Sequence, residues 1–438
     1  MNSLLRIPYS FAGNLAQVLT RVAPSGQSKF ARGLSARRDL IARYQQWAVA
    51  QRDPTRPLLW LHAPSVGEGL QALPVIELLR ARRPDIQIAY TFYSPSAERF
   101  ARGLDVDVTD YLPFDTFSNA AAILSTLRPD ALVFSKLDVW PALTETAASR
   151  GVPVGVVSAT LPPGSGRRGP FARALLTDAY QAIDRVGAID EGDAERLREQ
   201  GVRADRLQVT GDTRFDQVWA RARRTPPVFV ERLRSARPTL VAGSTWPTDE
   251  EHLLPAWQKA REKIPDARLI IAPHEISESH LRNLARWARA ASLRVSRIDA
   301  DDASSADVLI VDRYGVLGDL YSLADVAYVG GGFHSAGVHS VLEPAAFGAP
   351  VLFGPRHERS REATELVLAD GGATIKGLAD LTIRLDDWLG SAPAREVAGA
   401  HARAMVQAGL GAAERSYELV MALLPGRRAP TPGRAGGR

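Results

Sequence analysis

The chain reads as two doubly wound α/β domains in tandem. Its 438 residues are too many for one ordinary core and suit two. From residue 57 to about 210, short apolar runs alternate with amphipathic stretches, the rhythm of a parallel sheet covered on both faces. That rhythm breaks at "ARARRTPPVFVERLRSARP", residues 220–238, and then starts again.

In the first half the strand-like runs are "LLWLH", "IQIAYTF", "ALVFS", "VPVGVVS" and "RVGAI". Helical patterns lie between them, such as "GEGLQALPVIELLRARR" and "AERLREQG", the latter stopped by Gly201. The break, rich in Arg and Pro, predicts a linker with one short helix. The second half brings "TLVAGS", "RLIIAP", "DVLIVD", "VAYVGGG" and "APVLFGP". The tail "PGRRAPTPGRAGGR" has the composition of a disordered segment. The expected boundaries are an amphipathic segment at 1–30, a first domain at 31–222, a linker at 223–238, a second domain at 239–424 and a disordered tail at 425–438. Sheets of this kind bind ligands beyond the carboxyl ends of their strands, so two such domains are expected to face a common cleft.

Composition narrows the chemistry. Apolar content of 45% and charged content of 24% belong to a soluble globular chain. The net charge of +5 is carried mostly by arginine, which suits anionic partners and also a genome that favours Arg over Lys. The absence of cysteine excludes disulfides, thiolate catalysis and Cys-ligated metals. Neither a phosphate-binding G-x-x-x-x-G-K-[ST] loop nor a G-x-S-x-G elbow is present, and the eight histidines form no metal-binding pair.

The start, "MNSLLRIPYSFAGNLAQVLTRVAP", mixes apolar and basic residues without a cleavage site. No run reaches the roughly 18 apolar residues of a membrane span. Two readings fit: an interfacial amphipathic helix, or a helix packed on the protein's own surface. Pro8 predicts a helix beginning near Ser10, with Leu15, Val18 and Leu19 on one face. Arg21, Arg32, Arg37 and Arg38 could then attract anionic headgroups.

Candidate functional residues stand just after the strands. In "WLHAPSVGEGLQALP" Glu68 opens a helix behind the run 57–62. Ser65-x-x-Glu68 is a good capping box, and a carboxylate at a strand's carboxyl end is also a candidate general base. Spacing alone supports both. In the second half a strand runs into Gly330, Gly331 and Gly332, and His339 and Ser340 then open a short helix closed by Gly348. Ser340 is a natural N-cap, and Glu343 falls in the first turn. Glycines admit a ligand close to the backbone, and free amides at a helix start attract phosphate, which favours a nucleotide site. Ser244 and Thr245 close the strand at 239–243, before a helix that Thr248 and Glu251 can cap. His274 follows a strand directly; a lone histidine is commonly structural, but that position favours a ligand role.

Taken together these motifs resemble the 3-deoxy-D-manno-octulosonic acid (Kdo) transferase family from about residue 32 to 422. "HAPSVGEGLQALP" is similar to its H-x-x-S-V-G-E turn, "YLPFD" to Y-L-P-x-D, and "VTGDTRFD" to T-G-[NS]-x-K-F-D. "AGSTWPTDEE" is similar to G-S-T-H-x-G-E-E. The long segment from "YSLADVAYVGGG" to "VLFGP" is similar to the family's A-D-x-A-F-V-G-G-S…G-G-H-N-x-L-E-P. The resemblance implies a GT-B glycosyltransferase whose two Rossmann-like domains face a central cleft, the first on the acceptor side and the second binding the donor CMP-Kdo. It implies inverting transfer to a lipid A precursor in lipopolysaccharide biosynthesis, without metal and without any cofactor beyond the donor. Glu68 matches the family's base. His339 and Glu343 match its donor-binding H-N-x-L-E, and Ser244, Thr245, His274, Gly331, Gly332 and Ser340 are expected beside the donor. The partners implied are the nucleotide sugar, the lipid acceptor and the membrane surface, with no nucleic acid, and the location is the cytoplasmic face of the inner membrane, held peripherally.

Departures from the pattern mark a divergent member. The family's E-T-E-L-W-P-N is here "SKLDVWPAL", so Lys136 and Asp138 replace two glutamates; these two and Ser65 are expected on the acceptor side. The Arg of P-R-H before His274 is missing, and Ser340 replaces Asn. "GVL" stands for G-E-L, and "SATLPPGSGR" for N-A-R-L-S. The alternatives are a GT-B enzyme using another nucleotide sugar, as transferase or epimerase, or a degenerate binding protein without catalysis.

Overall fold

The structure is a computed structural model that describes residues 3–22, 28–136 and 139–425. Leu58–His62 (β1) is buried at all five positions. A strand covered on both faces has no solvent side, so its sequence is a continuous apolar run. Each fully buried leucine there contributes about 1.5–3 kcal/mol. The same logic holds for Gln87–Phe92 (β2), Ala131–Ser135 (β4) and Val154–Ala159 (β5), all fully buried. Val108–Tyr111 (β3), Arg185–Ala188 (β6) and Leu207–Val209 (β7) are shorter and partly exposed. Among the described residues these seven strands form a parallel sheet in the order β3-β2-β1-β4-β5-β6-β7.

A second parallel sheet is built from Thr239–Thr245 (β8), Arg268–Pro273 (β9), Val295–Arg297 (β10), Val308–Ile310 (β11), Val326–Val329 (β12), Val351–Phe353 (β13) and Gly372–Thr374 (β14). Its order is β10-β11-β9-β8-β12-β13-β14. In each sheet the chain leaves a central strand to one side and later returns to its other side. The crevice lies at that reversal, between β1 and β4 in one sheet and between β8 and β12 in the other.

The chain divides into two compact units, residues 1–217 with 410–438, and residues 218–409. This differs from the expected boundaries at 222, 238 and 424. Residues 218–238 fold with the second sheet, and the chain's end returns to the first. Asp216 drives that return: its carboxylate accepts the amides of Gly411 (2.9 Å) and Ala413 (3.0 Å) at the start of helix Ala412–Met421. Leu419, Val420, Leu423 and Leu424 then complete the first core. The expected tail at 425–438 lies, beyond Pro425, outside the described residues.

The first helix runs Ser3–Val22 without stopping at Pro8, contrary to the expected start near Ser10. Pro8 removes one amide donor near an exposed helix end, where water can serve the freed carbonyl. Tyr9 donates to Asp115 at 2.6 Å and Arg6 pairs with Glu145 at 2.7 Å, so this helix is docked on the first unit. Ile7, Phe11, Leu15 and Val18 nonetheless face outward, with Ile7 78% exposed. The side chains of Leu19 and Arg21 lie outside the described set. Arg32 and Arg38 are exposed, but Arg37 is not available to headgroups. It is buried and donates to the carbonyls of Gly33, Tyr93 and Leu112. No described helix is long and apolar enough to cross a membrane.

Candidate active site

In the first unit, Glu68 and Lys136 meet at the reversal point. Glu68 stands three residues past Ser65, the residue before helix Val66–Arg82, which follows β1. Lys136 is the first residue after β4. Its ammonium lies 3.2 Å from the Glu68 Oε1, with the side chains 41% and 16% exposed respectively. The other carboxylate oxygen accepts the Ser65 hydroxyl. The capping box is therefore not formed by Ser65: its hydroxyl caps no backbone amide and turns to the Glu68 side chain instead. Burial raises the Glu68 carboxyl, but the Ser65 hydroxyl and the Lys136 charge outweigh it and hold the group below the usual glutamate range. Asp138, the other acceptor-side residue expected here, lies outside the described residues.

Three family-like motifs fix this geometry from a distance. Asp212 accepts Gln71 of the Glu68 helix at 3.1 Å, and Thr213 donates to the Gln71 carbonyl at 2.6 Å. Asp115 of "YLPFD" caps helix Pro141–Ser149 by accepting the amides of Ala142 (3.0 Å) and Leu143 (2.9 Å). That anchors the far end of the segment beginning at Lys136. His62, at the end of β1, accepts the Trp140 indole N–H at Nε2 (2.9 Å) and contacts Thr91 through Nδ1 (2.9 Å). Burial pushes its pKa down to about 3, so the ring is neutral and structural. Gly69 lets the helix approach β2: a Cβ there would lie 2.4 Å from Phe100 and 2.8 Å from the Tyr90 hydroxyl.

In the second unit the expected donor residues gather around β8 and β12. Ser244 has φ +53, a left-handed turn inside the end of β8. The glycine triplet is required by backbone packing. A Cβ on Gly330 would lie 2.3 Å from the Ser244 carbonyl, and one on Gly332 2.4 Å from the Gly354 amide. Gly331 has φ +93. Its N–H donates to Asp249 at 2.8 Å, and that buried carboxylate also accepts from Trp246 N (2.9 Å), Phe333 N (3.2 Å) and the Tyr328 hydroxyl (3.2 Å). The Gly331 amide is thus not free for phosphate. Asp249 also caps the helix Pro247–Lys263, displacing the expected Thr248 cap. The sequence shows Asp249 only as a helix-start acid, because two of its partners lie more than eighty residues away.

His274 and His339 come together, stacked at 4.5 Å, and His274 stacks on Trp246, also at 4.5 Å. His334 also stacks on Trp246, at 3.9 Å. Burial, helped by the neighbouring imidazoles, pushes His339 down to about 4. Thr245 donates to Glu250 at 2.8 Å, and His280 holds the same carboxylate at 2.8 Å. Thr245, Trp246, Ser277, Ser279, His280 and Asn283 line most of a pocket of about 230 Å³. Trp246, Glu250 and His280 were not expected from sequence. Ser340 is exposed and not the N-cap, since the helix begins at Leu342 after Val341. The N-cap expectation failed because one further residue, Val341, stays non-helical before the first turn. Glu343 faces Arg221 at 3.8 Å and not that pocket. Burial raises its pKa, Arg221 lowers it and Asp319 raises it, with a net rise.

The fold is shared with solved two-domain structures. UDP-GlcNAc 2-epimerase from Neisseria meningitidis bound to UDP-GlcNAc superposes with a TM-score of 0.59 at 15% identity, covering 84% of this chain and 100% of that one. Two Rossmann-like parallel sheets in tandem, with polar side chains grouped at each reversal point, make the chain a protein of the GT-B class. Residues 35–217 match the family model described as 3-Deoxy-D-manno-octulosonic-acid transferase (kdotransferase). The 3-deoxy-D-manno-octulosonic acid transferase of Bordetella pertussis is 28% identical over 393 residues, 86% of this chain and 90% of that protein. That of Haemophilus influenzae is 25% identical over 396 residues, 88% and 91% respectively. Residues 35–217 thus carry a Kdo transferase domain, most of the chain is similar at modest identity to curated Kdo transferases, and the chain is a glycosyltransferase.

Proposed function

We propose that the chain transfers Kdo from CMP-Kdo to a lipid A precursor, with inversion and without metal. The observation that carries this reading is Glu68, a half-buried carboxylate at the reversal point of the first sheet in the family's S-V-G-E turn. Glu68 takes the proton of an acceptor hydroxyl. That oxygen bonds to the anomeric carbon of Kdo from the face opposite the phosphate, the bond from anomeric carbon to phosphate oxygen breaks, and CMP leaves. Proton removal by a positioned base contributes about 10²–10⁴ in rate.

On the donor side, Ser244, His274 and His339 are the polar groups offered to CMP, with Thr245 at the pocket wall. Gly331 and Gly332 shape the turn, and Glu343 is assigned to the ribose hydroxyls as in the family motif. The outward stripe Ile7, Phe11, Leu15 and Val18 supports peripheral attachment to a membrane, assigned here to the cytoplasmic face of the inner membrane where an acylated acceptor would lie.

Mass spectrometry of a lipid A precursor incubated with the enzyme and CMP-Kdo tests the whole reading. The expected product is heavier by one or more Kdo residues, and formation continues in EDTA. An unmodified acceptor would reject the substrate assignment, and activity lost to EDTA and restored by Mg²⁺ would reject metal independence.

A further inference from the structure

The ion pair at Glu68 conflicts with its role as a base. One oxygen of the carboxylate accepts Ser65 and the other meets Lys136 at 3.2 Å. A base engaged by an ammonium is a weak base, and its lone pairs are not directed at a substrate hydroxyl. The groups that face Glu68 are Ser65 just before its own helix, the Tyr90 phenol on β2 and Lys136 after β4. Of these, Lys136 is the cation, and its long side chain can leave.

Lys136 is built to move at its tip. Its backbone is left-handed, with φ +68, and is pinned by its amide to the Val157 carbonyl at 2.8 Å. A non-glycine residue in that region is held there by its surroundings. The side chain is different: 41% exposed, with a flexible four-carbon stem and three rotatable donors. A phosphate brings more charge and more acceptor oxygens than one glutamate, so it competes well for that ammonium.

We propose that Lys136 reads an anionic group on the acceptor, placed next to the nucleophilic hydroxyl, and that this group frees Glu68 by drawing Lys136 away. The acceptor class is thus an anionic glycan, bearing either a phosphate or the carboxylate of a sugar acid already attached. A neutral acceptor leaves Lys136 on Glu68 and the base restrained. The inference rests on Glu68 being the base.

The test compares three acceptors: a lipid A disaccharide precursor with its phosphates, the same disaccharide dephosphorylated, and the dephosphorylated form already carrying one Kdo. Wild type, Lys136→Met and Lys136→Arg are assayed with CMP-Kdo across pH. The kcat/KM profile reports the free enzyme and the kcat profile the complex. In wild type, the acid limb of kcat on the anionic acceptor is expected at higher pH than that of kcat/KM, because Lys136 has left Glu68. Loss of the anion is expected to lower kcat/KM by about 10- to 100-fold. With Lys136→Met the two limbs coincide, the acid limb of kcat/KM moves to higher pH, and the anionic preference falls to within about threefold. Lys136→Arg restores the preference. A preference met only by phosphate, or only by the Kdo carboxylate, identifies the source of the anion. Coincident limbs in wild type, or an undiminished preference in Lys136→Met, overturn the proposal while leaving the transferase reading intact. Wild-type turnover by Glu68→Gln would instead remove the base on which it rests.

Discussion

Glu68 and Asp249 occupy the same place in the two halves of the molecule. Each is an acid three residues past the N-cap of the helix that follows the central strand at the reversal, β1 for one and β8 for the other. Their surroundings divide them. Asp249 is fully buried and accepts from three backbone amides and a phenol. Glu68 keeps part of its surface and is held chiefly by side chains that can rotate away, Ser65 and Lys136. A carboxylate saturated by backbone is a structural clasp, and one held by mobile side chains can do chemistry. Position in the fold supplies the opportunity; the partners decide the use.

That contrast can be broken experimentally. The largest structural effect is expected for Asp249→Ala, which leaves buried amides of the 330–333 turn and of Trp246 without an acceptor. Each unsatisfied buried group costs about 1–3 kcal/mol, so a loss of about 3 kcal/mol or more is expected in denaturant unfolding. An unchanged midpoint would show that the clasp is dispensable. Glu343→Ala should weaken CMP binding by about 1–3 kcal/mol in calorimetry, with the fold retained. Unaltered affinity would leave Glu343 as a partner of Arg221 alone.

The two units also contrast in buried histidine. His62 is held down to about 3 and His339 to about 4. The unfolded chain takes up these protons near pH 6.5, whereas the folded chain resists until far lower. Stability is therefore complete above about pH 6.5 and declines as pH falls toward those folded values. His62→Asn or His62→Gln should flatten part of that decline, and a pH dependence identical to wild type would contradict the neutral-histidine assignment. The smallest effect on the purified enzyme is expected from deleting residues 2–22. Transfer to a detergent-solubilised acceptor should survive, while flotation with anionic liposomes is lost. Undiminished flotation by a folded truncation would assign membrane contact to another surface.

Much of this was legible in the residues. Long strands buried on both faces read out directly: 131–135 was placed to the residue, and 58–62 and 268–273 to within one residue. The strands β3, β7, β10 and β14 went unread, because three or four residues at or near a sheet edge offer too little pattern. Glu68 was legible as an acid behind a strand, but its local spacing promised a capping box. Lys136, 68 residues further on, decides where that carboxylate is held. Asp249 was hidden for the same reason, since Gly331 and Phe333 come from 82 and 84 residues away. Ser340 shows the converse error, a good cap residue placed before a helix that starts later than its pattern suggests.

The most direct test of the account is Glu68→Gln, assayed for transfer from CMP-Kdo and, separately, for CMP affinity and unfolding. The account predicts a loss of about 10²–10⁴ in kcat, with nucleotide affinity and unfolding midpoint near wild type, since the change lies outside the unit proposed to bind the donor. A variant that turns over at the wild-type rate would contradict it and reduce Glu68 to a helix-start acid like Asp249.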